Sequence, residues 1–219
     1  MTDKPQGPDY LSPTAIHDRA WEKGQYFEHP WTPKKKELSL ASLKELGDPG
    51  KVRILDYGCG DANMVQFFHE EGYQVEGIDI SEVVITKNKE ERPHLNFKVA
   101  TPDAPAPYPD KSFDAILCSE VIEHLYDVDF VFDDFNRLLR PGGILLLTTP
   151  YHGLVKNLVI ALLYFETHYK PTWQHIRFFT KKSLTSICLD HDFTPVKWSR
   201  VGRIGPVARS FFVTCRKAG

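Results

Sequence analysis

Two groups of residues have types and spacings that could do chemistry. The first is Glu120-Val121-Ile122-Glu123-His124, joined by His175 in the later run Gln174-His175-Ile176-Arg177-Phe178-Phe179-Thr180. If the first run opens a helical turn, Glu120, Glu123 and His124 share one face at i, i+3 and i+4. Two carboxylates and an imidazole can hold a divalent ion, Mg²⁺ or Zn²⁺, with His175 as a fourth ligand. Without an ion, His124 or His175 could act as general base near neutral pH, with Glu120 a further candidate. A structural reading stands beside these: a glutamate that caps a helix or pairs with an arginine, and a histidine packed under a sheet.

The second group is the run Ile54-Leu55-Asp56-Tyr57-Gly58-Cys59-Gly60-Asp61-Ala62-Asn63, followed by Gly77-Ile78-Asp79. Glycines at 58 and 60 permit a tight turn and let a ligand lie against bare backbone. A carboxylate at Asp79, at the end of the next strand, can accept both hydroxyls of a ribose. A dinucleotide site requires G-x-G-x-x-G with its helix facing a pyrophosphate. Here Asn63 takes the third glycine position, and Asp61 puts negative charge where a phosphate would sit. The loop therefore suits a cationic sulfonium nucleoside better than a dinucleotide. Cys59, with nothing nearby to activate a thiolate, reads as a packing residue.

These residues need elements to hold them. Strands are expected at 52–57, 74–80, 95–99, 113–118 and 144–149, and helices at 63–71, 82–91 and 127–139. Gly72 sits where a helix C-terminus favours glycine, Pro93 stops the second helix, and four prolines keep 101–112 a loop. Pro141-Gly142-Gly143 reads as a turn. Strands alternating with helices of about ten residues imply an α/β fold: a doubly wound, mostly parallel sheet with helices on both faces. Phe193–Val201 and Ser210–Cys215 read as a closing hairpin. Residues 1–13 read as a flexible N-terminus and 14–50 as a helical cap. In that cap Leu38, Leu40, Leu43 and Leu46 are spaced for an amphipathic helix. The aromatics Trp21, Tyr26, Phe27 and Trp31 fall between the two halves of the cap. Lys34-Lys35-Lys36 reads as a solvated helix end.

With these elements in place, four stretches together resemble the class I S-adenosylmethionine-dependent methyltransferases: LDYGCGDAN (55–63), GIDIS (77–81), PYPDKSFDAILCSEVIEHL (107–125) and LLRPGGILLLTTP (138–150). The likeness implies a Rossmann-like seven-stranded sheet whose last strand is antiparallel, with residues 51–219 as the methyltransferase domain. It implies S-adenosylmethionine as cofactor, contacted by Asp56, Gly58 and Gly60, with Asp79 on the ribose diol and Ile80 on adenine. Ser119 would lie beside the methionine end, and Asp103, one residue out of the usual register, near the adenine amino group. The Glu120–His124 run and His175 resemble two subgroups, the ubiquinone-biosynthesis O-methyltransferases and the small-RNA 3′-end 2′-O-methyltransferases. The insertion 151–174 would be a lid over the acceptor.

The lid carries an apolar face from Leu154 to Phe165, with Lys156 and Asn157 opposite, then Tyr169 and Trp173. It implies a small apolar or aromatic acceptor, most simply a hydroxyl compound, or a peripheral membrane contact through 154–165. An ordinary core helix or a dimer contact would give the same pattern, and monomer and homodimer both stay open. Net charge is −2 and the isoelectric point near 6.5, which argues against a nucleic-acid partner unless a local patch supplies one. Arg200, Arg203 and Arg209 in the tail hairpin could bind an acidic group. Four scattered cysteines form no CxxC pair, and the polar start lacks a signal-peptide core, so a cytoplasmic setting is expected. Methyl transfer to nitrogen, carbon, a sugar or an RNA 3′ end, and non-catalytic cofactor binding, are the remaining alternatives.

Overall fold

A computed structural model describes residues 18–19, 32–169, 175–202 and 208–219. The flexible start expected at 1–13, the aromatics between 21 and 31, Trp173 and Arg203 lie outside the described residues. Seven strands form one sheet: β1 (Arg53–Tyr57), β2 (Gln74–Asp79), β3 (Asn96–Val99), β4 (Phe113–Ser119), β5 (Leu139–Pro150), β6 (Phe193–Val201) and β7 (Ser210–Lys217). Their spatial order is β3-β2-β1-β4-β5-β7-β6. β1 to β5 pair in parallel, and β7 lies antiparallel between β5 and β6. The last strand in sequence is therefore an interior strand of the sheet, paired on both edges.

Helices cover both faces, so strand residues are buried on either side rather than alternating in and out. On β1, Leu55 and Tyr57 join one apolar cluster and Ile54 the other; on β5, Leu145 and Leu147 oppose Ile144 and Leu146. One face packs against α4 (Val128–Leu138) and α7 (Lys181–Asp190) through Phe132, Phe135, Leu184 and Cys188. The other packs against α1 (Thr32–Leu43), α2 (Asn63–Glu70) and α3 (Glu82–Glu91) through Leu43, Val65, Phe68, Val84 and Ile85. Caps set several starts. Ser81 accepts from Val84 N at α3, Asp127 from Phe130 N at α4, and Thr180 forms a capping box with Ser183 at α7.

One expectation changes. Pro141-Gly142-Gly143 does not break the chain into a turn: β5 runs from Leu139 through it, with Gly142 at a φ of 73° and a register shift opposite Phe113–Ala115. In the insertion after β5, α5 (Leu154–Leu163) and α6 (Phe165–His168) leave most of their apolar side chains exposed.

Candidate active site

The chain winds outward from β1 to β3, returns, and continues from β4 on the other side. The crevice at the C-terminal ends of β1 and β4 is thus the switch point where doubly wound folds bind ligands. The loop after β1 meets the end of β2 there, and Glu123 and His124 follow β4.

On the β1 side, Gly58 and Cys59 donate backbone N–H groups to Ile78 O, each at 2.8 Å, which folds the loop onto β2. Gly58 has a φ of 80°, and a Cβ there would run into Val121. Both facts require glycine: the backbone is left-handed, and the space a side chain would need is filled by Val121. Asp79 accepts from Gly60 N at 3.0 Å and Ser81 N at 2.9 Å. Asn88 Nδ2 donates to Gly60 O at 2.7 Å, and Asn63 Nδ2 to Asp61 at 2.7 Å. Cys59 is buried, with its sulfur beside Gly77. Ile80 is half-buried at the strand's end. Asp103 is exposed in a local turn with Thr101.

Three carboxylates, Asp56, Asp61 and Asp79, gather round this loop. Asp56 is buried, and that burial, reinforced by Asp79, pushes its pKa up from an ordinary 3.8 to about 8, against the opposing pull of Lys35. With three carboxylates against one ammonium, Lys35, the site suits a cationic ligand. Lys35 is the residue sequence reasoning missed. Lys34 is exposed and pairs with Glu37, and Lys36 lies over the Phe67 ring. Lys35 instead is buried and donates to Ser119 Oγ at 2.9 Å, which shares a hydrogen bond with Thr148 Oγ1 at 2.9 Å. The cap helix thus delivers an ammonium group to the crevice. One turn of α1 puts Lys35 on the face that buries Leu38, and that spacing was the only available signal.

On the β4 side, the expected helical turn from Glu120 does not form. Glu120 has a φ of 58°, and the short 3₁₀ turn comprises only Ile122–His124. Glu120 therefore leaves the face of Glu123 and His124; its carboxylate accepts from Ser210 Oγ at 3.2 Å. Glu123, His124 and His175 do converge, each offering a ligand atom within 4.8 Å of the others. Glu120 is not in that group. The His124 and His175 rings lie edge to face at 4.8 Å. Backbone bonds explain how a residue so distant in sequence arrives: Ile176 N and Arg177 N both donate to Glu123 O, and Arg177 Nε donates to Leu125 O.

Glu123 is fully buried, which raises its pKa, and the nearby Glu120 raises it further. Thr149 donates to one oxygen at 3.2 Å, whereas the other, like one oxygen of Glu120, has no hydrogen-bond partner. His175 is pushed down to about 4 by burial and by His152 and His168. His152, buried and bonded to Asn157 at 3.2 Å, stacks edge to face on Phe178, and Phe178 on Tyr169. A wall of imidazole and aromatic rings therefore borders the crevice.

A family model described as a methyltransferase domain matches residues 18–197. The chain belongs to that family. Its nucleotide half is that of the class I S-adenosylmethionine-dependent enzymes, and S-adenosylmethionine is its cofactor. The chain is 32% identical over 116 residues to the ubiquinone biosynthesis O-methyltransferase of Pelagibacter ubique, covering 51% of this chain and 47% of that protein. It is 28% identical over 191 residues to a human thiol S-methyltransferase, covering 77% and 75%. Thus the chain spans between about half and three quarters of the length of these relatives. Among solved structures, the Burkholderia thailandensis 1,6-didemethyltoxoflavin N1-methyltransferase, crystallised with S-adenosylhomocysteine, superposes with a TM-score of 0.69 at 19% identity, covering 98% and 94%. The magnesium protoporphyrin IX methyltransferase of Synechocystis, also with S-adenosylhomocysteine, gives 0.71 at 14%, covering 94% and 96%. These likenesses share the fold.

Proposed function

We propose that this protein transfers the methyl group of S-adenosylmethionine to the oxygen of a small apolar or aromatic hydroxyl compound. The observation that carries this reading is the convergence of Glu123, His124 and His175 beside the cofactor crevice, bordered by aromatic rings. The cofactor supplies an already activated methyl group on a sulfonium, so the protein's task is alignment and proton removal. Gly58 and Gly60 leave room for the cofactor's tail, Asp79 takes the ribose hydroxyls, and Ile80 flanks the adenine. Asp56 faces the positive end of the amino acid tail, and Lys35, steadied by Ser119, takes its carboxylate.

An oxygen acceptor must lose a proton. A buried carboxylate oxygen of Glu123 without a partner, beside two imidazoles and near the half-buried Glu120, fits a divalent cation. Glu123, His124 and His175 would hold it, with Glu120 behind them, and it would lower the acceptor's pKa. His152 and Phe178 would hold the acceptor's apolar body against that edge. Without an ion, His124 is the base, since Glu123 is fully buried.

The human relative named for thiol S-methylation keeps a second reading in view, with sulfur as acceptor. One experiment separates them. Purified protein is given S-adenosylmethionine with a panel of phenols and alkyl thiols, with and without a chelator. The proposal expects phenol methylation, reduced by chelation and restored by Mg²⁺ or Zn²⁺. Thiol methylation with no phenol turnover would overturn it.

A further inference from the structure

Three residues of α3 are buried: Val84, Ile85 and Asn88. Asn88, at 1% exposure, is the polar one. A buried amide in a helix interior costs helix stability and must find partners. Its Nδ2 donates to Gly60 O at 2.7 Å, in the loop after β1. A carbonyl can only accept, so the amide must turn its nitrogen that way. On the other side Arg92 Nη1 donates to the amide oxygen at 3.5 Å.

Gly60 is thereby held on both sides of its backbone. Its N–H donates to one oxygen of Asp79 at 3.0 Å, and the other oxygen accepts from Ser81 N at 2.9 Å. Ser81 is also the residue that caps α3. A ring of hydrogen bonds therefore closes, from the start of α3 through Asp79 and Gly60 and back to α3 at Asn88. Gly58 and Cys59 are fixed separately, through Ile78 O. Gly60 is left-handed, with a φ of 49°, and has no side chain to anchor it. Asp79 orients the peptide before it, and Asn88 the peptide after it. Packing alone does not account for an amide at this position. A leucine of similar volume would fill the space, bury more favourably and suit a helix better. It could not donate to Gly60 O.

We infer that Asn88 is a positioning residue for the cofactor: by fixing the peptide after Gly60 it holds the loop after β1, and with it the carboxylate of Asp79, in the shape that S-adenosylmethionine binds. It acts through Gly60. A loop already in its bound shape loses less freedom when the ligand arrives, and the gain is affinity. The inference rests on the reading that sets Gly60 and Asp79 against the cofactor.

Calorimetric titration of the full chain with S-adenosylhomocysteine tests it, with Tm measured beside it. Asn88→Leu should bind about tenfold more weakly than the parent, with Tm changed by only a few degrees. Asn88→Asp presents a carboxylate to Gly60 O at high pH and an O–H donor once protonated. Its deficit should exceed that of Asn88→Leu at about pH 9 and shrink to about twofold at about pH 6. The deficit of Asn88→Leu should stay constant over that range. Taking each ratio to the parent at the same pH cancels the titration of Asp56, which all of them share. Asp79→Asn, the control for the underlying reading, should also weaken binding by about tenfold. Parental affinity in Asn88→Leu with weakened binding in Asp79→Asn overturns the proposal alone; parental affinity in both overturns the reading beneath it as well. A pH-independent deficit in Asn88→Asp, or a collapse of Tm in both Asn88 variants, would assign the amide to packing and stability and overturn the proposal too.

Discussion

Asp56 is a carboxyl in a place that disfavours its charge until a cation arrives. Burial and the neighbouring carboxylates Asp79 and Asp61 hold its pKa at about 8, and only Lys35 pulls the other way. In its proposed role facing the cationic cofactor tail, Asp56 binds as the carboxylate, so below pH 8 binding would expel a proton. Affinity for S-adenosylhomocysteine, whose tail keeps its ammonium, should therefore rise with pH towards 8 and then level off, as calorimetry across pH would show. Folding has the opposite sign. The unfolded residue ionises near 3.8 while the folded one stays protonated, so the cofactor-free protein loses stability as pH rises from about 4 to about 8. Asp56→Asn should flatten both dependences and weaken binding by about tenfold or more, the size of a lost charge-assisted hydrogen bond. Lys35→Met keeps the stem that packs in α1 and removes the ammonium. It should weaken S-adenosylhomocysteine by a similar factor and adenosine, which has no carboxylate, very little. Equal losses for both ligands would show that Lys35 only packs.

The glycine loop and the capped helices show what an element contributes. Gly58 meets Val121 across the crevice, so the loop after β1 and the turn after β4 can approach only through a residue with no side chain. Gly58→Ala should cost about 1–3 kcal/mol, from left-handed strain plus overpacking, and abolish cofactor binding. Adding Val121→Ala should recover part of the stability, read as Tm, because it removes the clash and leaves the strain. This loop was legible in the sequence because its requirement is local: a strand, two glycines and a helix in order. The alternation that gave the sheet was equally local. The Glu120–His124 run was legible as a set of ligands but not as a shape, because nothing in those five residues signals the left-handed Glu120 that moves its carboxylate away. Lys35 was hidden by its neighbours: a run of three lysines looks solvated, and its partner Ser119 is 84 residues away. The outward apolar face of α5 was hidden too, since a periodicity locates a stripe without saying which way it points.

At the scale of the molecule, the two segments beyond β5 differ sharply in what they support. β7 is paired on both sides, buried along six consecutive residues, and adds Phe211, Val213 and Cys215 to one core cluster and Phe212 to the other. Helix α5 buries only Ile160 and is held by a few polar contacts. Sheet pairing in the interior is cooperative with everything packed on it, whereas a segment with few buried contacts opens at little cost. Replacing residues 154–164 by a short Gly-Ser linker should therefore leave a cooperative unfolding transition, with Tm lowered by only a few degrees and S-adenosylhomocysteine binding intact. It should reduce turnover of apolar acceptors by raising KM, since the rings they meet would lose their cover. Ending the chain after Arg209 should instead leave no cooperative transition by circular dichroism. β5 would lose its neighbour from Ile144 to Pro150 and expose a long apolar edge, the geometry that promotes aggregation. If the linker variant failed to fold while cofactor still rescued the truncated chain, the division between a rigid sheet and an appended lid would be wrong. The acceptor chemistry would then have to be sought in a body that folds as one unit with its lid.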